Sequence, residues 1–354
     1  MKRVFIIILL VLTLCPACFA EEFEINGEDF YNKTAEDIVS GRLDLNPINI
    51  INNLIKSVFE EISNTKALLK SILLIAAAAG ILRILSDSFG NGETSDAAFF
   101  ACFAVMTAAG VKIFAEVVGY GVEVIHSLCG FITKFEPIFV GLLASAGAVT
   151  QAAAFQPVMT ASVYVLSVVV DKCILPLTYF SAVLGIVNNI GGRIEIGTLN
   201  KLLASVSKWL LTGVLTLFST ILALYGFGTA AVNNVTIKSI KFAVGSFVPV
   251  VGGILSDTID TVLSGTNLLK NAVGTAGMIT VISIAAVPII KIWIMMMLLK
   301  ITAAAIEPFS DKRITNVLIA VADSVTVVFS MVITSVMLFI ISIGIILTST
   351  GVSL

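Results

Sequence analysis

The apolar positions fall into long runs that no charge interrupts: 137–170, 173–192, 209–237, 271–290 and 324–354. Each reaches the roughly 20 residues that a helix needs to cross about 30 Å of hydrocarbon. Two further apolar segments, 68–85 and 97–118, are separated by the Gly/Asn/Ser/Asp loop 90–96. The stretch 123–134, with Glu123, His126 and Lys134, reads as interfacial. The Gly- and Ala-rich segment 137–155 spans or re-enters. Residues 157–170 and 173–190 are parted only by Asp171-Lys172, which reads as a short loop, with one long broken helix as the alternative. Residues 188–193 form a turn, 198–208 is amphipathic and 209–232 spans. A segment starting at Lys238 is broken at Pro249. Pro288 and Lys291 sit inside the continuous apolar run 272–299, and the final run, 314–347, contains Asp323. Starting that last span at Ser324 removes the cost of burying Asp323. The pattern predicts an all-α, polytopic helical membrane protein with about six to eight transmembrane spans.

The two ends of the pattern differ. Met1-Lys2-Arg3, an apolar stretch from Val4 to Leu14 and a small residue at Ala20 read as a signal peptide over 1–20, cut before Glu21. A lipoprotein cut before Cys18 is the alternative, but Cys15 stands where a Leu is usual. Residues 21–66 form a polar extracytoplasmic arm. Within it Ile51, Leu54, Ile55, Val58, Phe59 and Ile62 follow the i, i+3, i+4 spacing of an amphipathic helix. Residues 67–354 are the membrane domain. Basic residues are sparse, and their richest cluster, Arg193, Lys201 and Lys208, points to the cytosolic side.

Composition sharpens this picture. Of 354 residues 58% are hydrophobic and only 12% charged, against about 25% charged in a soluble domain. A net charge of −2 gives no footprint for nucleic acid. Beyond the signal, Cys102, Cys129 and Cys173 are odd in number and lie in apolar surroundings, which reads as small buried hydrophobes rather than a disulfide framework.

An internal similarity stands out. Phe135, Pro137 and Gly141 fall in the pattern F-x-P-[IV]-[FV]-x-G-[LI]-L-[AS], which Phe247, Pro249 and Gly253 repeat. A weaker match relates 198–204 to 314–320. Repeated halves with Pro- and Gly-interrupted spans belong to transporter-like architectures, and chance similarity in apolar sequence is the competing reading.

Candidate chemistry is thin. His126 is the one histidine, and no G-x-S-x-G, H-E-x-x-H or Walker pattern occurs, so neither an enzyme nor a bound cofactor is expected. Ionisable residues inside apolar stretches are the better clue, because burial is costly and such groups face a cavity or a partner. Asp257, Asp260, Thr261 and Ser264 fall at i, i+3, i+4, i+7 and would form one polar stripe lining a path or a surface face. Asp171 and Lys172 are adjacent and do not face each other on a helix. Glu307, Asp311, Lys312 and Arg313 read as a solvated loop leading into a helix.

With the signal and the polar arm, the motifs from Phe247 and Pro249 through Gly252-Gly253 to Asp257-Thr258, and Glu307-Pro308 with Asp311-Lys312-Arg313, resemble the stage III sporulation protein AE family of endospore-forming bacteria. The resemblance covers nearly the whole chain. It implies a multi-pass protein of the mother-cell membrane surrounding the forespore. It implies a role in a channel or feeding apparatus needed for late forespore development. The implied partners are other stage III sporulation membrane and ring-forming proteins, a cytosolic ATPase and a forespore membrane protein. The competing expectations are a secondary transporter using intramembrane acidic residues and a non-conducting scaffold.

Overall fold

The computed structural model describes residues 93–190, 197–247, 252–308 and 312–349. The expected signal, the polar arm and the first span, 68–85, lie outside these residues, as do Pro249 and Asp311. All the regular structure among the described residues is helical: α1 (Glu93–Ser145), α2 (Val149–Val169), α3 (Leu175–Ile190), α4 (Gly197–Phe247), α5 (Gly252–Ile306) and α6 (Lys312–Ser349). A π-helical turn, Val170–Ile174, joins α2 to α3 without a break. Among the described residues five helical segments are long and apolar enough to cross a membrane.

Several expected spans fuse. The segments 97–118, 123–134 and 137–155 were expected to be separate, yet α1 runs through the first two and ends at Ser145. Glu123, His126 and Lys134 stay exposed on its outside while Val124, Ile125, Leu128 and Ile132 remain buried, so the helical period continues through the charges. Pro137 lies inside α1, at an exposed position, and the helix absorbs the loss of one amide donor. The real break is Gly147, with φ 79°, inside what the sequence reads as one segment. There the Ala148 amide donates to the Leu143 carbonyl at 3.0 Å and the Gly147 amide to Ala144 at 3.1 Å, a Schellman cap.

Other boundaries move for similar reasons. Asp171-Lys172 is not a loop; the pair lies in the π turn of a continuous helix. Lys238 starts no new segment, because α4 runs on through it to Phe247. Helix α5 carries Pro288 in its interior. Helix α6 starts at Lys312, not Ser324, and Asp323 is exposed on its outer face. At 53 residues α1 is about 80 Å long, well beyond the hydrocarbon thickness.

The registers are plain from the contacts. Helix α1 runs antiparallel to α2–α3: Phe139 meets Phe155 and Phe114 meets Tyr179. Helix α5 runs antiparallel to α1, with Phe135 on Gly277 and Lys291 on Tyr120. Helix α6 runs parallel to α1, Gly110 against Val321 and Gly121 against Val328, and packs also on α3, α4 and α5. It is the bundle's centre, burying Val321, Val325, Val328, Met331, Val332 and Phe339 among others. Its buried serines bond their own helix, Ser324 to Ala320, Ser335 to Met331 and Ser342 to Leu338, at 3.1, 2.8 and 2.6 Å, whereas the buried Thr315 hydroxyl has no hydrogen-bond partner among the described residues.

An aromatic row ties α1 to its neighbours. Phe131, Phe135 and Phe139 stack at 5.4 and 5.2 Å, one helical turn apart. The tip of Phe135 fills the space a side chain would need at Gly277; a Cβ there would stand 2.6 Å from Phe135 Cζ. Close approach through a small residue is how helices associate where lipid supplies no hydrophobic drive between them. Gly277→Ala is therefore expected to cost about 1–3 kcal/mol by overpacking, seen as a lower thermal midpoint of the detergent-purified protein. Adding Phe135→Leu should recover part of that loss. Losses that simply add would show that the ring and Gly277 do not abut.

Candidate functional site

Three pairs of chemistry-bearing side chains are set along α1. The deepest acidic one is Glu136, buried at the position before Pro137. Across the hairpin, Thr160 Oγ1 donates to its carboxylate, 2.9 Å from Oε1 and 3.2 Å from Oε2. The same hydroxyl lies 3.1 Å from the Gln156 carbonyl of its own helix. A buried carboxylate with a dedicated donor is costly to desolvate and worth much less once the donor is lost.

Nearly three turns back, His126 Nε2 lies 3.5 Å from Asp171 Oδ1. Both side chains are partly exposed. Ser167 Oγ donates to the other carboxylate oxygen of Asp171 at 3.4 Å. The π turn carries Asp171: its inserted residue shifts the phase of the helix, which is why π turns recur where a side chain must be re-aimed. Two turns further back, buried Lys291 of α5 sets its ammonium 5.0 Å from the centre of the Tyr120 ring. Such a contact gains strength where water is excluded. Lys270, also on α5, is 1% exposed. Ser181 of α3 donates to Asn200 of α4, beside Gly185.

The residues singled out in the sequence are spread over the fold. Asp171 and Lys172 share the π turn, Asp171 turned to His126 and Lys172 exposed. Glu307 is exposed in the turn after α5, its amide donating to the Ala303 carbonyl at 3.1 Å, and Lys312 and Arg313 are exposed at the start of α6. Asp257, Asp260 and Thr261 lie in the first turns of α5, and their side chains lie outside the described residues. Phe135, Pro137 and Gly141 sit inside α1, whereas Phe247 ends α4 and Gly253 is the second residue of α5. The two copies of the repeat pattern thus occupy different settings. Cys129 is buried as expected, but Cys173 is exposed. Among the described residues no three His, Cys, Asp or Glu side chains group as metal ligands do.

Sequence reasoning passed over the Glu136–Thr160 pair and Lys270. Counting spans from charge-free windows starts one at residue 137 and so leaves Glu136 just outside it. The one local signal was a carboxylate set between Phe135 and Pro137 in an otherwise apolar stretch.

Residues 30–350 match the family described as Stage III sporulation protein AE. The chain is 27% identical over 318 residues to Stage III sporulation protein AE of Bacillus subtilis (strain 168), covering 90% of this chain and 80% of that relative. No solved structure matches it.

The Glu136–Thr160 contact generates a test. Thr160→Val removes the donor and should destabilise the purified protein by about 1 kcal/mol, read as a lower thermal midpoint. In a Glu136→Gln background, where no charge needs a donor, the same change should cost clearly less. Equal costs in both backgrounds would mean that the carboxylate does not depend on Thr160.

Proposed function

Because the chain belongs to the stage III sporulation protein AE family, we propose that it is a membrane component of the channel, or feeding apparatus, that links mother cell and forespore and sustains late forespore development. The protein is a multi-pass helical membrane protein of a sporulation family. The proposed site of action is the mother-cell membrane around the forespore. The proposed partners are the other stage III membrane and ring-forming proteins, a cytosolic ATPase that supplies nucleotide-driven work, and a forespore membrane protein.

The observation that carries this reading is the family match across residues 30–350, which takes in the whole helical bundle. The structure adds a physical reason to favour conduction over a passive scaffold. Glu136, Lys270 and Lys291 are each less than a tenth exposed inside a bundle of apolar helices. Ionisable groups buried among membrane helices are costly and commonly mark ion or substrate paths, which favours a conducting or coupling element. A secondary transporter would use the same groups, and the two readings part on whether loss of the protein stops sporulation.

In-frame deletion in the host should arrest development after engulfment, with late forespore reporters silent and heat-resistant spores reduced by several orders of magnitude. Restoring the gene with Glu136→Leu should leave the protein in the membrane but only partly restore sporulation. Normal spores in the deletion strain would overturn the proposed function. Normal spores with Glu136→Leu would remove Glu136 from the working parts.

A further inference from the structure

The least buried of the five membrane-crossing segments is Gly197–Tyr225 of α4. A groove of about 960 Å³ runs along it, walled on the other side by Val165 of α2. On α4 the lining falls at i, i+3, i+4 and i+7 spacing, from Leu202 and Ser205 through Trp209 and Gly213 to Leu217 and Phe218. Gly213 opens the floor, since nothing stands within 4 Å of where its Cβ would be. The lower part of the groove is wholly apolar.

The upper part is not. Lys201, Ser205 and Lys208 lie at i, i+4 and i+7, so they share one face of α4, and both lysines are exposed. Ser205 lines the groove and thereby links it to the lysine pair. No Asp or Glu occurs between Gly197 and Tyr225, so nothing on this segment neutralises the two lysines. Trp209, one residue beyond Lys208, is 82% exposed, the setting a tryptophan takes at the boundary between headgroups and hydrocarbon. From Trp209 to Phe218 is nine residues, or about 14 Å of helix, close to the depth of one leaflet.

We propose that this groove binds an anionic phospholipid, its phosphate held by Lys201 and Lys208 and one acyl chain laid along Gly213, Leu217 and Phe218. The charge selects the headgroup. Two unneutralised lysines beside a phosphate favour a lipid of net negative charge over a zwitterionic one, whose own ammonium they repel. The apolar lining ends about one leaflet below the tryptophan, the depth an acyl chain occupies. The inference rests on the multi-pass membrane assignment alone and not on the proposed sporulation role.

Trp209 provides the readout. The full chain carrying Trp293→Phe has Trp209 as its sole tryptophan. Reconstituted in vesicles of mixed phosphatidylglycerol and phosphatidylcholine, its fluorescence should be quenched at much lower mole fraction by acyl-brominated phosphatidylglycerol than by acyl-brominated phosphatidylcholine. The expected preference is on the order of tenfold. Lys201→Gln with Lys208→Gln should bring the ratio near one while both lipids still quench. Gly213→Leu, which fills the groove and leaves the lysines, should weaken quenching by both. An equal response to the two lipids in the parent, or an undiminished preference in the double lysine variant, would overturn the proposal. So would absence of quenching by either lipid, which would mean that lipid does not enter the groove, or disulfide-linked pairs of Gly213→Cys chains whose native cysteines are replaced by Ala, which would mean that a second copy fills it.

Discussion

The central helix must be buried on nearly all sides in a setting where apolar side chains gain nothing merely by leaving lipid. Helix α6 meets this constraint through fit and through self-satisfied polar groups. Its neighbours bring small residues to it: Gly110 and Gly121 from α1, Gly185 from α3 and Gly274 from α5. At Gly274 the demand is tight, for a Cβ there would stand 2.4 Å from Leu347 Cδ2. The serines on its buried face each bond a carbonyl one turn back in the same helix, so they need no partner from elsewhere. Its one acidic residue, Asp323, faces outward. Helices α1, α3, α4 and α5 all pack on α6, so the arrangement of the others follows from how closely each can approach it.

The charged groups obey the complementary rule. Two titratable groups of α1, buried Glu136 and outward-facing His126, are each met by a neighbouring element with a group of matching chemistry: Thr160 for Glu136, Asp171 for His126. Lys291 follows the same rule from the other side, over the Tyr120 ring. These contacts join α1 to α2, to the π turn and to α5, at three heights. They add direction to a packing that would otherwise tolerate sliding, because a buried charge separated from its partner is far more costly than a displaced methyl group. A movement of α2 against α1 would therefore be felt at Glu136 and at His126 together.

Much of the architecture was legible in the apolar runs. They identified the helical class and the membrane setting, and Glu307 with Lys312 and Arg313 marked a true turn between helices. What the runs did not reveal was continuity. Glu123, His126 and Lys134 looked like an interface because charge was read without its face; in the helix they point outward while Val124, Ile125 and Leu128 keep the buried stripe. Asp171-Lys172 looked like a loop because adjacent opposite charges seldom sit inside an apolar helix; a π turn accommodates them by turning Asp171 toward His126. That pairing joins residues far apart in sequence, and no local spacing encodes it. Gly147 carried the true break as a single residue among alanines, too slight a signal to outweigh the surrounding hydrophobicity.

Helix length changes what those interior charges mean. Segments of 41 and 43 residues extend about 60 Å or more, roughly twice the hydrocarbon thickness. Tilt does not absorb a twofold excess, because even a 40° tilt shortens the projection by only about a quarter. Part of each long helix therefore lies beyond the hydrocarbon, against headgroups, water or protein. The helix registers bring together at mid-bundle the His126–Asp171 pair, the Tyr120–Lys291 pair two turns away on α1, and Trp293 two residues past Lys291. Both tryptophans of the chain are exposed, Trp209 on α4 and Trp293 on α5. Charge, histidine and tryptophan at one height are what a membrane boundary selects, whereas Glu136 with Thr160 lies nearly three turns further along α1 toward the Gly147 cap. On that geometry the partly exposed His126–Asp171 pair meets headgroups and water, and the buried Glu136 is the acidic group of α1 that hydrocarbon and packed side chains enclose.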